Sequence, residues 1–403
     1  MKRIIALLLS LVLCCGIMVP TSLAADKASE VEVDTTPEEL GTLSFESLEQ
    51  RVRENNLTVR MLQATIDSID ANDYEQMKDD LRDSLNQIAK GQQFLIAYGQ
   101  GDSYSYAAMD QMYSSLRETF DDLKDGDIQQ DSADAIRQLQ DTQNQVIAGA
   151  ESLYIALLEM QNNRNILERK LASTNRTVQE MQTRYNLGQI SALQLRQVKD
   201  GRVQIQSGLD TLNNSIEGAV IQLEMMVGAD ITGKMTVTEV PAVTDAQVDA
   251  INYAADLDQV RQKSYDIYAA KATLDEAEEA YKDAKKGYGK SSYQWKAAEH
   301  KWQAAQYTYQ AAVQAFEAKF RACCSAVTDY RQILRAKESA LALQKDTYRA
   351  MELKYRRGMI SKNDYLAAKD DLAEAQDAVT TAQHNLFTAY SAYDWAVRFG
   401  VLN

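Results

Sequence analysis

Few residues in this chain could do chemistry, and their spacing points away from it. His300 and His384 are the only histidines. Neither stands in the close spacing with Cys, Asp or Glu that a metal site needs, so both read as surface or seam-flanking side chains. Cys323 and Cys324 are neighbours, a placement that disulfide geometry disfavours. Cys323 falls on an apolar line and reads as a packing residue, while the sequence leaves open whether Cys324 beside it is an exposed, reactive thiol. The acid pairs Asp79-Asp80 and Asp121-Asp122 lack the ligand spacing of a calcium loop and read as solvated helix faces. No nucleophile elbow, phosphate loop or HExxH occurs in the sequence. The chain therefore reads as a non-enzyme, with no catalytic residue, no metal and no cofactor.

The informative pattern is a repeated phrase. Arg184-Tyr185-Asn186-Leu187-Gly188-Gln189-Ile190-Ser191 returns 170 residues later as Lys354-Tyr355-Arg356-Arg357-Gly358-Met359-Ile360-Ser361, and the match runs on to Lys199-Asp200 and Lys369-Asp370. A fixed-offset repeat means one structural unit used twice. In each copy a single Gly supplies a left-handed helix end. Ser191 and Ser361 can then cap the next helix, with Gln194 and Asp364 completing capping boxes. The phrase thus predicts two helical hairpin tips.

The elements that must carry those tips are long helices. From Ile136 to Tyr185 every seventh residue, with the companion line Leu139 to Met181, is apolar except at Gln143, Arg164 and Thr174, an a/d seam. Val313, Phe320, Val327, Leu334, Leu341, Tyr348 and Tyr355 repeat the plan, so Tyr355 sits in the register of Tyr185. After Gly358 an alanine line (Ala368, Ala375, Ala382, Ala389, Ala396) permits close helix approach. Leu43 to Asp70 reads as one amphipathic helix with Ser44 as N-cap, and the stretch from Asp245 as its counterpart. The organisation expected is a signal peptide over 1–24, a disordered acidic leader over 25–43, a helical repeat over 44–228, a linker over 229–244 with a short strand, and a second repeat over 245–403. The fold class is all-α: long antiparallel coiled-coil hairpins in two tandem repeats.

Lys2 and Arg3, an apolar stretch from Ile4 to Val19 and Ser22-Leu23-Ala24 form a secretory signal with its cleavage site, so the protein is expected outside the cytoplasm. Cleavage removes two cations and leaves 41 basic against 58 acidic residues, about −17 net. Such a surplus argues against nucleic acid or an anionic membrane surface as partner.

Tyr-x-x-Gly-x-Ile-Ser between long helices, present once in each half, resembles the TolC-like outer-membrane efflux proteins. The opening segment Leu43 to Arg60, with Asn55-Asn56, is similar to that family's first helix. The resemblance implies a homotrimer whose twelve helical strands form a hollow α-barrel. It further implies that Arg184, Tyr185, Gly188, Ile190, Ser191, Lys354, Tyr355, Gly358, Ile360 and Ser361 meet the hairpins of an adaptor (membrane-fusion) protein, itself joined to an inner-membrane transporter. The family also places a membrane β-hairpin in each repeat. Here those positions hold a helical stretch from Tyr104 to Leu123 between Gly-rich turns, and the short turn Lys286 to Lys290. Neither has the alternating runs of ~9–11 residues that a spanning strand requires. The expectation is a TolC-like α-barrel protomer without a membrane β-barrel, placed in the envelope or wall of a monoderm bacterium rather than in an outer membrane. The competing expectation is an exported coiled-coil spacer or scaffold with no transport role.

Overall fold

A computed structural model describes residues 41–290 and 292–402; the expected signal peptide and nearly all of the expected acidic leader lie outside the described residues. Among the described residues two short strands, β1 (Thr42–Leu43) and β2 (Thr236–Val237), accompany eleven helices. In chain order the helices are α1 (Phe45–Asn55), α2 (Leu57–Asp70), α3 (Tyr74–Ala97), α4 (Tyr104–Asp125), α5 (Asp127–Asn186), α6 (Ala192–Met226), α7 (Asp245–Asp249), α8 (Tyr253–Lys263), α9 (Tyr265–Gly287), α10 (Tyr293–Arg356) and α11 (Lys362–Phe399). The all-α expectation holds. Among the described residues no helix is long and apolar enough to cross a membrane.

The chain forms two compact units, one of Arg60–Thr142 and one that joins the residues up to Val59 to those from Gln143 onward. In the first, α3 and α4 make an antiparallel hairpin. Gln92 donates to Asp110 at 3.3 Å, and a Cβ on Gly91 would touch Met109 at 3.3 Å. Ser103 caps α4, and Gly126 ends it with φ 93°.

The second unit holds the seams. Its largest core gathers Leu48 and Val52 of α1, Ile147, Tyr154 and Leu158 of α5, Ile216 and Leu223 of α6, and Trp395 of α11. A single seam on α5 does not account for this: Ile147, Tyr154 and Leu158 lie off the expected line because the helix is covered on more than one side. The alanine line of α11 is buried at Ala368, Ala382, Ala389 and Ala396, as close approach requires.

Three expectations need correction. The leader, read as disordered through Leu43, is ordered by that point. Leu43 is 1% exposed, and β1 pairs in parallel with β2, Thr236 donating to Gly41 and Thr238 to Leu43 at 3.2 and 3.1 Å. The helix read as continuous from Leu43 breaks at Asn56. There the amide Oδ1 accepts from Thr58 and Val59 at 3.0 and 3.1 Å, while Nδ2 donates to the Met226 carbonyl at 2.9 Å. The counterpart in the second half begins at Tyr253 rather than Asp245, and it breaks at Ser264 with nearly the same backbone angles, φ −63° and ψ 122° against −67° and 121° at Asn56. In both places a left-handed Gly closes the repeat against the break. A Cβ on Gly228 would lie 2.7 Å from the Asn55 carbonyl, and one on Gly400 would lie 2.5 Å from the Ser264 nitrogen.

The linker is anchored by a buried acid. Glu224, 1% exposed, accepts from the Thr232 amide and hydroxyl and from the amides of Gly233, Lys234 and Met235 at 2.8–3.2 Å. Burial opposes its charge, but these donors outweigh it and hold the carboxyl below its usual range.

Candidate functional site

The two tips are the same structure built twice. At the first, the Leu187, Gly188 and Gln189 amides donate to the carbonyls of Thr183, Tyr185 and Arg184 at 3.1, 2.9 and 2.8 Å. At the second, Arg357, Gly358 and Met359 donate to Leu353, Tyr355 and Lys354 at 3.2, 2.9 and 2.9 Å. These are Schellman-type ends, with Gly188 at φ 71° and Gly358 at φ 70°. Ser191 accepts from the Gln194 amide and Ser361 from the Asp364 amide, and both N3 side chains bond back, completing two capping boxes. Ile190 and Ile360 are half-buried at the residue before the N-cap, the staple position. Leu195 and Tyr365 stand at the matching place one turn in.

What the tips present to solvent differs. The first exposes Tyr185, Leu187 and Leu193, and the second Leu353, Tyr355 and Met359. Arg184 is paired with Glu180 and Arg356 with Glu352. Lys354 and Arg357 are exposed and have no acidic partner among the described residues, so the second tip carries the positive field. It is also tied internally by rings. Tyr355 stacks on Tyr365 with centroids 4.7 Å apart and planes 8° apart, and the Tyr365 hydroxyl meets that of Tyr348 at 2.8 Å.

The tips stand side by side because α5 and α11 run antiparallel in contact. Glu180 accepts from Asn363 at 3.0 Å, followed away from the tips by the ion pairs Arg176–Asp370 and Arg169–Asp377. Asn162 then donates to Thr381 at 3.0 Å, and Glu151 accepts from Ser391 and Trp395 at 2.9 and 2.8 Å. Each rung climbs one helix as it descends the other. All ten residues expected at the tips are therefore brought together at one end of this unit. Sequence reasoning missed Glu180 and Asn363, whose identities are ordinary for exposed helix positions and carry no signal of their own.

It also misplaced His384. This residue is 2% exposed, with Nδ1 2.7 Å from Glu159 and Nε2 3.0 Å from Glu239. One ring so clasps α5 and the segment after β2 to α11. Burial disfavours its charge, but the two carboxylates outweigh that and raise its pKa. The packing residue is Cys324 rather than the expected Cys323: Cys324 is buried with Phe316 and Phe320, and Cys323 is half-buried. Burial pushes Cys323 up to about 12 and Cys324 up to about 11, far from thiolate reactivity. Among the described residues no group of His, Cys, Asp and Glu is arranged to hold a metal ion.

No protein-family model and no curated protein sequence matches the chain. Solved structures do match its fold. The outer-membrane channel OprN aligns with a TM-score of 0.57 at 14% identity, over 95% of this chain and 99% of that one. A membrane protein from Pseudomonas aeruginosa aligns at 0.54 and 13%, over 94% and 97%. The open state of the Neisseria gonorrhoeae MtrE outer membrane channel aligns at 0.51 and 14%, over 89% of each chain. The chain thus has the helical fold of outer-membrane channel proteins of the TolC type. At the positions where the resemblance implies membrane β-hairpins, the described residues form helices and a short turn.

Proposed function

We propose that this protein is an exported, passive component of an efflux or secretion system: a homotrimeric helical duct that docks an adaptor (membrane-fusion) protein through its two tips, with an inner-membrane transporter supplying the energy. The observation that carries this reading is the tip pair itself. A connector that only reverses the chain has no need to repeat Tyr, Ile, Lys and Asp at a constant offset, nor to expose three large apolar side chains at each turn. The channel fold supports a duct. Nothing in the site supports enzyme chemistry, which agrees with neighbours that are channels.

The test is crosslinking in cells from Tyr185→Cys and Tyr355→Cys, the native thiols being buried or half-buried and protonated. Capture of a hairpin-bearing adaptor from both tips is expected, and capture from neither would refute docking. If the partner's hairpin is acidic, Arg356→Glu with Arg357→Glu weakens capture more than Arg184→Glu, and the difference shrinks in high salt. The competing reading, a coiled-coil spacer of the cell envelope, is favoured by the helices that stand where barrel hairpins would be. Mass measurement separates the two: a stable trimer fits the duct and a monomer fits the spacer.

A further inference from the structure

The turn between α9 and α10 concentrates a chemistry that the duct does not use. From Lys282 to Lys301 the chain carries six lysines (282, 285, 286, 290, 296 and 301) against only Asp283 and Glu299, a local surplus of four positive charges in a chain of net −15. Lys282 pairs with Glu278 and Lys286 with Asp283. Lys285, Lys290, Lys296 and Lys301 are exposed and have no acidic partner among the described residues.

Aromatic rings are interleaved with these cations. Tyr288 is 50% and Tyr293 79% exposed. Behind them Tyr281 stacks on Trp302 at 5.0 Å and 7°, and lies 5.7 Å from Trp295. Neither indole N–H has a hydrogen-bond partner among the described residues. Two exposed phenols at a hairpin end, a braced aromatic pad behind them and four exposed ammonium groups along the adjoining turns match a layer that is both anionic and intermediate in polarity. Aromatic residues with a polar tip favour the headgroup region of a bilayer, and lysines beside it are drawn to anionic lipid.

We propose that the α9–α10 hairpin end is a peripheral docking surface for an anionic lipid bilayer. The net acidity of the whole chain does not oppose this, because charges beyond ~8–10 Å are screened at physiological salt. No helix enters the membrane in this arrangement: the lysines sit at the phosphates, and Tyr288 and Tyr293 reach into the headgroup layer. The proposal uses none of the tip residues. The 64 residues of α10 separate the two ends by about 95 Å. The bilayer meant therefore lies on the side away from the transporter, which sets aside the monoderm placement expected from the sequence.

The experiment is co-sedimentation of the mature chain with vesicles of phosphatidylcholine alone and of phosphatidylcholine with phosphatidylglycerol. Binding is expected only to the anionic vesicles. Lys285→Gln with Lys290→Gln and Lys296→Gln should weaken it about 100-fold, at about fivefold per lysine. Tyr288→Ser with Tyr293→Ser should weaken it without changing its salt dependence. Lys354→Glu with Arg357→Glu, at the second tip, should leave it unchanged. All these side chains are exposed, so circular dichroism should report intact helices in every variant. Equal binding to neutral vesicles, a triple-lysine variant that binds like the parent, or loss of binding on the tip substitution would overturn the proposal. So would complete displacement by soluble polyphosphate at matched charge, which would mark the surface as a polyanion site with no preference for a bilayer.

Discussion

Replacing His384 with Gln removes a cation held between two carboxylates while keeping a polar side chain of similar length. A hydrogen bond to a charged partner contributes about 1.5–3 kcal/mol. Glu159 is 26% exposed and earns that range, but Glu239 is 74% exposed, where solvent screening leaves well under 1 kcal/mol. The loss should therefore be about 2–3 kcal/mol when the ring is charged. The two carboxylates raise the folded pKa above the ordinary value of 6.5. The clasp is then fully present below pH ~6.5 and is lost as pH rises through the folded pKa. The gap between parent and His384→Gln should be widest near pH 6 and should close in alkaline solution. Urea denaturation followed by tryptophan emission measures it, since Trp295, Trp302 and Trp395 all lie in the same compact unit. Ring nitrogen NMR gives a second reading, because only two histidines are present and His300→Gln assigns the signals. A gap that stays constant from pH 6 to alkaline pH, or a His384 ring that is singly protonated at pH 6, would refute the clasp.

Glycines at the two ends of the hairpins should respond differently to alanine. At Gly188 and Gly358 a Cβ meets nothing within 4 Å, so only the left-handed backbone is strained, at about 1–2 kcal/mol. At Gly228 and Gly400 the added carbon would lie 2.7 and 2.5 Å from backbone atoms, so the helix break must also move, and a total of about 3 kcal/mol or more is expected. Denaturation midpoints of the four single variants give the order. The thiols provide another check: with Cys323 and Cys324 pushed up to about 12 and 11, a disulfide-exchange reagent at neutral pH should label them only after unfolding. Rapid labelling of the native protein would contradict their protonated state.

The tips were legible because their determinants are local. Gly188 and Gly358 supply the left-handed turn, and Ser191 and Ser361 find their capping partners three residues on. The helix breaks were not legible, since neither Asn56 nor Ser264 is a strong breaker. Asn56 and Ser264 each cap the following helix locally, Asn56 accepting from Thr58 and Val59 and Ser264 from Ile267. Asn56 is also held through the Met226 carbonyl 170 positions away, a contact that leaves no trace in a local pattern. The cysteine assignment failed by one position. A strict seven-residue count points to Cys323, whereas the buried run is Phe316, Phe320, Cys324, Val327, spaced nearer the natural period of a straight helix. His384 was misread because its two acids come from different parts of the fold. Composition also concealed the α9–α10 lysines, since a net charge averages over surfaces that screening keeps apart.

The wide core of the second unit fixes the order in which the protein can be finished as it is made. Thr42 meets Thr236 across 194 positions, Trp395 reaches Glu151 across 244, and Arg398 reaches Glu49 across 349. The opening helix therefore cannot meet its last partner until both ends of the chain, 349 positions apart, are present. Until then Leu48 and Val52 face water beside a half-built seam. Contacts of such long separation are slow to close, so α11 acts as the closing member of the first repeat as well as of its own. Within this unit the core around Leu48, Val52 and Tyr154 closes only when Trp395 arrives.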